Sequence, residues 1–569
     1  MNRKPQRALA WRWAALVLLI AAAGVRVALL GVDARLHPDE ALFATQARAI
    51  ARGLDPLLRG ADVDKPPLTL YTLALSFRAL GVHEWSARLP NVFFSTLSVA
   101  ALYALARALY RDRAAAWSAA ALWAFSPYAL GFAATAFTDV QATFWVLLGL
   151  GLAARGRWGR AGVALALGVA CKTSAWQAVP LALVLGALAG VGAEDAGALP
   201  PRPQQGTSSP APPADRAARA RRRSQRARPA GGRRLGIRSV EAILASRRGT
   251  RREAGSRGVL PLAGVWGQSP HVLALTRLAV PLALGVGALA LWDAARAPRS
   301  FWALARAHNM PDRLVRSDEV GARLSAWLGW ARWAVGAEWL AVVLALGVGA
   351  LLARDLRRRD RAAALDWALA GYGLTWLGAY WLVAFNTYDR YLYPLVPLLL
   401  ILAARALVSA WRTFGARRSV ALLLIVAVGA GSLPATRAAL RGELPLGGDR
   451  GQHDGIDALA AYLNAELAGA VVYDHWLGWE LGYYLGASPR VQLRYMPQPE
   501  ALADDLRAVE QPRYLVAPQR EAAFWLGVLR GAGFCAAPTY AVGRFAVYLL
   551  QPCYLTPRSL YLKYCHSVG

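Results

Sequence analysis

The sequence predicts a polytopic α-helical membrane protein of about eleven spans, followed by a small soluble α/β domain. Three observations predict it. Of 569 residues, 56% are hydrophobic, above the roughly 45–50% of soluble domains, and the excess falls in blocks of about 17–22 residues, the length that crosses a hydrocarbon core. Basic residues cluster between these blocks on alternate loops, as they do where cytoplasmic loops carry the arginines. Beyond residue 435 the long blocks stop, and short apolar runs alternate with amphipathic ones.

The opening stretch MNRKPQRALAWRW has cations and no acid, which keeps it in the cytoplasm. The apolar run 13–31 lacks a small-residue cleavage signal and reads as a first span, not a removed leader. The loop 32–88 is then outside. Span two, 89–107, ends inside at Arg107, Arg111 and Arg113, and span three, 114–131, returns to a short outer turn at 133–139. Span four, 140–154, ends inside at Arg155, Arg157 and Arg160. Spans five and six, 161–176 and 178–193, meet outside near Lys172.

Residues 194–258 hold 16 arginines against 5 acids, with Pro, Gly and Ser between them. They read as a disordered basic cytoplasmic insert, drawn to anionic lipid headgroups, with VEAILASRR as a short surface helix. Span seven, 271–292, leads to the outer loop 293–335. Its tryptophans suit a membrane–water interface, and 322–334 reads as a helix lying on the membrane surface. Span eight is 336–353 and span nine 363–385. An outer turn at 386–390 follows, then span ten, 391–407, and span eleven, 419–435. The N-terminus is then cytoplasmic and residues 436–569 form an extracytoplasmic domain. In that domain 470–473, 513–517 and 545–550 read as strands, and 454–467, 499–509 and 521–532 as helices. No glycine-rich phosphate loop follows a strand, so no nucleotide site is expected there.

The net charge of +30 would suit nucleic acid, but its confinement to alternate loops is explained by the bilayer, and no nucleic-acid partner is expected. Lysine occurs only at Lys4, Lys65, Lys172 and Lys563, so a lysine in a membrane-facing motif stands out. The four cysteines show no metal-ligand spacing. With the last domain outside the cytoplasm, Cys535 and Cys553 can pair as a disulfide.

The outer loop 32–88 carries two acidic clusters, His37-Pro38-Asp39-Glu40 and Asp62-Val63-Asp64-Lys65-Pro66-Pro67. Charge held at a membrane face is costly, which marks a functional site. Asp39 and Glu40 can act as a general base or hold a divalent cation; they can equally cap the helix that starts beside them. The prolines after Lys65 aim its ammonium at a fixed point at headgroup depth, where it suits a lipid phosphate; the alternative is a surface ion pair of little energetic value. Asp139 opens span four, and is a helix cap or a cavity acid. Lys172 closes span five. Arg390, beside Tyr388, can reach a phosphate or serve as an interfacial anchor. His308, in the long outer loop, is a candidate metal ligand with Asp64. All of these fall on the outer side, whereas no span has an acid near its middle, which argues against ion translocation.

These residues carry a resemblance. The acidic pair after span one, the Lys65-Pro66-Pro67-Leu68 segment, Ala87-Arg88-Leu89-Pro90, Thr138-Asp139, the run ending in Lys172, and Tyr388-Asp389-Arg390-Tyr391-Leu392-Tyr393-Pro394-Leu395 resemble the C-type membrane glycosyltransferases. The nearest groups are the protein O-mannosyltransferases and the lipid A aminoarabinose transferases. The resemblance covers 13–435. It implies a polyprenyl-phosphate sugar donor, an outward-facing cavity, and inverting transfer to a protein, lipid or glycan acceptor. It also implies catalytic roles for Asp39, Glu40 and Asp139, and phosphate binding by Lys65, Arg390, Lys172 and Tyr388. A divalent metal would sit at Asp64, where this sequence departs from the more usual Glu. The competing reading is a transporter or flippase of a lipid-linked glycan; no internal repeat supports it. Trp476, Trp479 and Tyr483 echo the tryptophan-rich signature of oligosaccharide transferases, at a different spacing.

Overall fold

A computed structural model of the chain describes residues 3–197, 270–309, 314–383, 385–413, 418–509, 511 and 513–555. Most of the predicted insert, its surface helix and Cys565 lie outside the described residues.

Each predicted span coincides with a helix or a broken pair of helices. Span one is α1 (Arg3–Ala28). The outer loop that follows is itself largely helical, with α2 (Pro38–Ala51) and α3 (Leu68–Leu80). Span two is α4 (Glu84–Tyr110). Span three is split into α5 (Arg113–Ala124) and α6 (Pro127–Ala133), because Pro127 cannot donate to the turn before it and starts a new helix. Spans four to six are α7 (Thr138–Ala153), α8 (Trp158–Cys171) and α9 (Ala178–Gly197). Then come α10 (Pro270–Ala294), α11 (Phe301–Asn309), α12 (Val320–Ala331), α13 (Glu338–Asp355), α14 (Arg361–Leu382), α15 (Val396–Thr413) and α16 (Arg418–Leu440).

Fewer of these are long enough to cross a bilayer unaided. Among the described residues, Trp13–Gly31, Glu84–Tyr110, Val272–Ala294 and Val396–Thr413 are long and apolar enough, with Val320–Ala334 and Glu338–Asp355 as a pair bent by 93°. Helices α7 and α8, at 16 and 14 residues, rise only about 24 and 21 Å at 1.5 Å per residue, short of the ~30 Å hydrocarbon core. The stretch 322–334 is helical, as expected, in α12 and the turn after it, folded sharply away from α13.

The apolar faces of these helices form one continuous core, from Ala22 in α1 through Leu102, Trp123 and Leu150 to Ile401 in α15. Arg26 of α1 is fully buried in it. Among the described residues the charge has no carboxylate partner; Nε donates to Ser95 (2.8 Å) and Nη1 to the carbonyls of Ala22 and Ala124 (both 3.0 Å).

The last segment has the expected α/β alternation: α17 (Ile456–Glu466), β1 (Val471–Asp474), α18 (Gly478–Tyr484), β2 (Gln492–Tyr495), α19 (Pro499–Arg507), β3 (Arg513–Pro518), α20 (Gln519–Gly531), β4 (Phe534–Val542) and β5 (Phe545–Pro552). Strands β2 and β4 were not foreseen. The first, Gln-Leu-Arg-Tyr, is an exposed edge with no apolar alternation. The second carries Pro538 beside a break in register, which proline tolerates only at an edge. The sheet order is β2-β1-β3-β5-β4, with β1, β2 and β3 parallel and β4 and β5 antiparallel. One face packs on α17 and α18, the other on α19 and α20. Cys535 and Cys553 form the expected disulfide, and Cys171 is free and buried.

This sheet domain is seated on the outer loop through α18 and α2. Arg48 of α2 donates to the carbonyls of Gly482 and Tyr483, both at 2.7 Å, and its guanidinium lies over the Tyr483 ring. Tyr484 joins the same seam: its hydroxyl accepts from Leu36 N–H (2.9 Å) and donates to Glu84.

Candidate active site

The site is built around the start of α2. Pro38 sits in the first turn, where its missing N–H costs nothing. His37 caps the helix: its Nδ1 accepts from Asp39 N–H (3.2 Å), and Glu40 accepts from His37 N–H (3.0 Å). Burial lowers the His37 imidazole to about 4, so it is neutral near pH 7 and free to accept at Nδ1.

This turn sends the two acids in different directions. Glu40 is fully buried. It accepts from Ala136 N–H at 2.7 Å and stands 3.5 Å from Arg88 Nε. Arg88 in turn donates to the carbonyls of Ala34 and Arg35, both at 2.8 Å. The sequence reading paired Glu40 with Asp39 as catalytic acids; the structure separates them, because the third helical residue turns inward and ties α2 to the turn before α7.

Asp39 faces the other way, to the guanidinium of Arg390. Arg390 also lies 4.7 Å from the centre of the Tyr388 ring and 5.1 Å from that of Phe137. Burial favours the neutral carboxyl of Asp39, but Arg390, with help from His37 and Lys65, outweighs it and holds the group below the usual carboxylate range. Arg390 is raised for the reciprocal reason, burial being outweighed by Asp39 and then Asp139. Its backbone is fixed by Asp389, which accepts from Arg390 N–H (2.7 Å) and from Gly447 N–H (2.9 Å).

A second pair lies beside the first. Lys172 Nζ is 2.5 Å from Asp139 Oδ1 and 5.0 Å from the centre of the Tyr391 ring. The turn that places Asp139 is held by Asn91, whose amide donates to the carbonyls of Thr135 (2.8 Å) and Phe137 (2.7 Å), and by Gln141, which donates to Asn91 at 3.1 Å. A narrow cleft leads away from this pair, walled by Val146, Ala178, Trp376 and Leu398.

The third group is Lys65, paired with Asp64, and His308, whose Nδ1 stands 3.6 Å from the same carboxylate. Asp64 and His308 thus meet as the sequence reading paired them. They do not make a metal centre of the protein's own: among the described residues no three His, Cys, Asp or Glu side chains gather, and the Asp64 carboxylate is already taken by an ammonium. The expected divalent-metal set is therefore incomplete here.

Asp39, Tyr388 and Arg390 thus come together, beside Asp139 and Lys172, with Asp64, Lys65 and His308 as a further cluster. The sequence reading missed the supports, namely His37, Asn91, Gln141 and Asp389. His37 had a visible signal, a side-chain acceptor directly before Pro-Asp-Glu.

Helices of this order, a loop after α1 bearing acids and cations, and a sheet domain seated on that loop give the chain the C-type glycosyltransferase fold of membrane proteins. The crystal structure of ArnT from Cupriavidus metallidurans in the apo state matches it over 97% of this chain and 99% of that one, at a TM-score of 0.58 and 15% identity. The same protein bound to undecaprenyl phosphate gives 0.55 and 14% identity over 94% and 98% of the two chains. In sequence, residues 64–194 match the family described as dolichyl-phosphate-mannose-protein mannosyltransferase. An undecaprenyl phosphate-α-4-amino-4-deoxy-L-arabinose arabinosyl transferase from Pseudomonas aeruginosa is 34% identical over 143 residues, 24% of this chain and 26% of that protein. The chain's match thus spans about a quarter of the length of this curated relative. The resemblance read from the motifs is borne out in fold over nearly the whole chain, and in sequence over the segment that holds Asp64, Lys65, Asp139 and Lys172.

Proposed function

We propose that the chain is an integral-membrane glycosyltransferase that moves a sugar from a polyprenyl-phosphate donor to a hydroxyl-bearing protein, lipid or glycan at the outer face of the cell membrane. The observation that carries this reading is that three cations, Arg390, Lys172 and Lys65, paired with Asp39, Asp139 and Asp64, lie within electrostatic reach of one another.

In the reaction the acceptor oxygen forms a bond to the anomeric carbon while that carbon's bond to the phosphate oxygen breaks. The polyprenyl phosphate leaves with the electron pair, and Asp39 takes the acceptor's proton. The leaving phosphate gains charge in the transition state, and cations already fixed around it stabilise that charge without reorganising. Arg390 offers a planar fork to phosphate oxygens, and Lys172 and Lys65 act as point charges. Tyr388 positions Arg390 by cation–π contact. Asp139 holds Lys172 in place, and the apolar cleft beyond it takes the start of the isoprenoid chain. Glu40 belongs to the scaffold. No step is routed through a metal.

Donor and base are coupled through Arg390. A carboxylate paired with arginine is a weak base. When a phosphate takes Arg390, Asp39 loses its counter-charge and its pKa rises toward the usual range. The base is thus strengthened only when the donor is in place.

The eleven-span arrangement belongs to the same proposal, with a cytoplasmic N-terminus and an extracytoplasmic sheet domain. It is supported by the meeting of Asp39 with Arg390, Asp139 with Lys172, and Asp64 with Lys65 and His308, residues that this topology puts on one side of the membrane. The decisive experiment is transfer of labelled sugar from polyprenyl-phosphate donors by the purified protein, comparing wild type with Asp39→Asn. Equal transfer by the two, both folded, would remove Asp39 as base.

A further inference from the structure

The sheet domain contains a feature the transfer reaction does not use. Its parallel half has β1 between β2 and β3. The chain leaves β1 for β2 on one side and returns to β3 on the other, so the connections diverge at the carboxyl ends of β1 and β3. In open α/β sheets such a switch point leaves a crevice where ligands bind.

A cavity of about 250 Å³ lies there, reached by Leu477 after β1 and by Pro518, Gln519 and Arg520 after β3. Its polar lining is Gln452, Gln519, Arg520, Arg544 and His453, the last paired with Asp449 and Glu480. Arg520 is paired with its neighbour Glu521 at 3.2 Å. The guanidinium of Arg544 has no ion-pair or hydrogen-bond partner among the described residues. Two large aromatic side chains stand exposed on the same elements. Trp476, one residue before Leu477, is 65% exposed, and Phe524, one helical turn after Arg520, is 66% exposed. Trp476 also has φ +59, a left-handed backbone that a bulky residue adopts only when the surroundings impose it. Strain is therefore spent on holding a largely exposed indole, its ring against Tyr495, one residue before Leu477 of the cavity lining.

Free guanidinium, amide donors and exposed rings suit one ligand chemistry. The C–H faces of a pyranose pack on aromatic rings, its hydroxyls bond to amides, and a carboxylate takes the arginine fork. We propose that the carboxyl edge of the sheet is a binding site for an acidic saccharide, the acceptor glycan of the transfer reaction. That it is the acceptor rests on the transferase reading; that the site binds such a ligand does not. Helix α18, which begins directly after Leu477, is bonded to the Arg48 side chain of α2, the helix that presents Asp39. The saccharide is thereby held by the element against which the base is braced.

Binding is tested without donor, on the full chain in lipid nanodiscs, by calorimetric titration with tetragalacturonate as the acidic probe and maltotetraose as the neutral one. The acidic tetramer should bind about tenfold tighter or better than the neutral one. Arg544→Ala should remove that preference and leave the neutral affinity unchanged. Trp476→Gly suits the left-handed backbone and keeps the fold; it should weaken both. Asp39→Asn should bind both as wild type does, while losing transfer. Equal affinity for the two probes, or no effect of Arg544→Ala, overturns the inference and leaves the transferase reading standing. Normal saccharide binding without any transfer by wild type would do the reverse.

Discussion

Arg390 and Asp39, 351 positions apart in the chain, meet as an ion pair at the centre of the site, with Tyr388 and Phe137 beside the arginine and His37 accepting from Asp39 N–H. On the proposed reading, Asp39 is both the counter-ion of a phosphate-binding cation and the group that receives the acceptor's proton.

Replacing Asp39 should therefore split two observables. In Asp39→Asn the turnover of labelled sugar should fall by about 10²–10⁴-fold, the scale of a lost general base. Affinity for a polyprenyl phosphate should rise, since Arg390 no longer has an internal competitor. Transfer kinetics and donor titration check the two halves; weaker donor binding would contradict the coupling.

Glu40→Gln should behave otherwise. Glutamine keeps the helix-capping role but loses the charge facing Arg88. A loss of about 1–3 kcal/mol is expected, read as a lower unfolding midpoint, with turnover per folded molecule within a few-fold of wild type. A turnover loss matching that of Asp39→Asn would return Glu40 to the chemistry.

Asp139 is 3% exposed and Lys172 is its partner at 2.5 Å. Lys172→Met leaves a buried carboxylate alone and should cost about 3–5 kcal/mol. Adding Asp139→Asn should restore much of that stability without restoring transfer. A double-mutant cycle in thermal unfolding reads the coupling, and additive losses would show that the pair is not a unit.

His453 provides a pH signature in the sheet domain. Burial alone would lower its imidazole, but Asp449 and Glu480 outweigh burial and raise it to about 9 from 6.5. Its Nε2 stands 2.9 Å from Glu480 Oε1, an ion pair whose angle falls outside hydrogen-bond geometry, since the Glu480 oxygens make no hydrogen bond. Asp449 pairs with Nδ1. A group with a raised folded pKa adds stability that is complete below the unfolded value and lost as pH rises through the folded one. The unfolding midpoint should thus hold below pH 6.5 and decline as pH rises through about 9. A His453→Gln variant should be less stable in acid and lack that decline; a decline of equal size in the variant would refute the assignment.

The charges of the site were legible because each interrupts apolar sequence, where charge is expensive: Asp39, Lys65, Asp139, Lys172 and Arg390 all declare themselves by position. Their partners were not legible. Nothing local says that Asp39 meets Arg390 and Lys172 meets Asp139, since both pairings arise from helix packing across long separations. Nor does sequence separate Asp39 from Glu40; that depends on which side of one helical turn faces the core. The helices themselves were readable from composition. Span four, at 140–154, was already as short as α7; the shortness of α8 was not legible, because the apolar run of span five continues past Cys171 into the turn after Lys172. The sheet was half readable: β1, β3 and β5 are buried and apolar, whereas the edge strands β2 and β4 carry little pattern.

The bonds from Arg48 to the Gly482 and Tyr483 carbonyls carry a final consequence. Helix α2 is clamped at its far end by a guanidinium that the last quarter of the chain must satisfy. A chain ending after α16 would retain Asp39, Lys65, Asp139, Lys172 and Arg390 yet leave Arg48 bare and α2 free to tilt. The position of Asp39 is thus decided partly by a domain whose Gly482 and Tyr483 stand 434 and 435 positions beyond Arg48 in the chain.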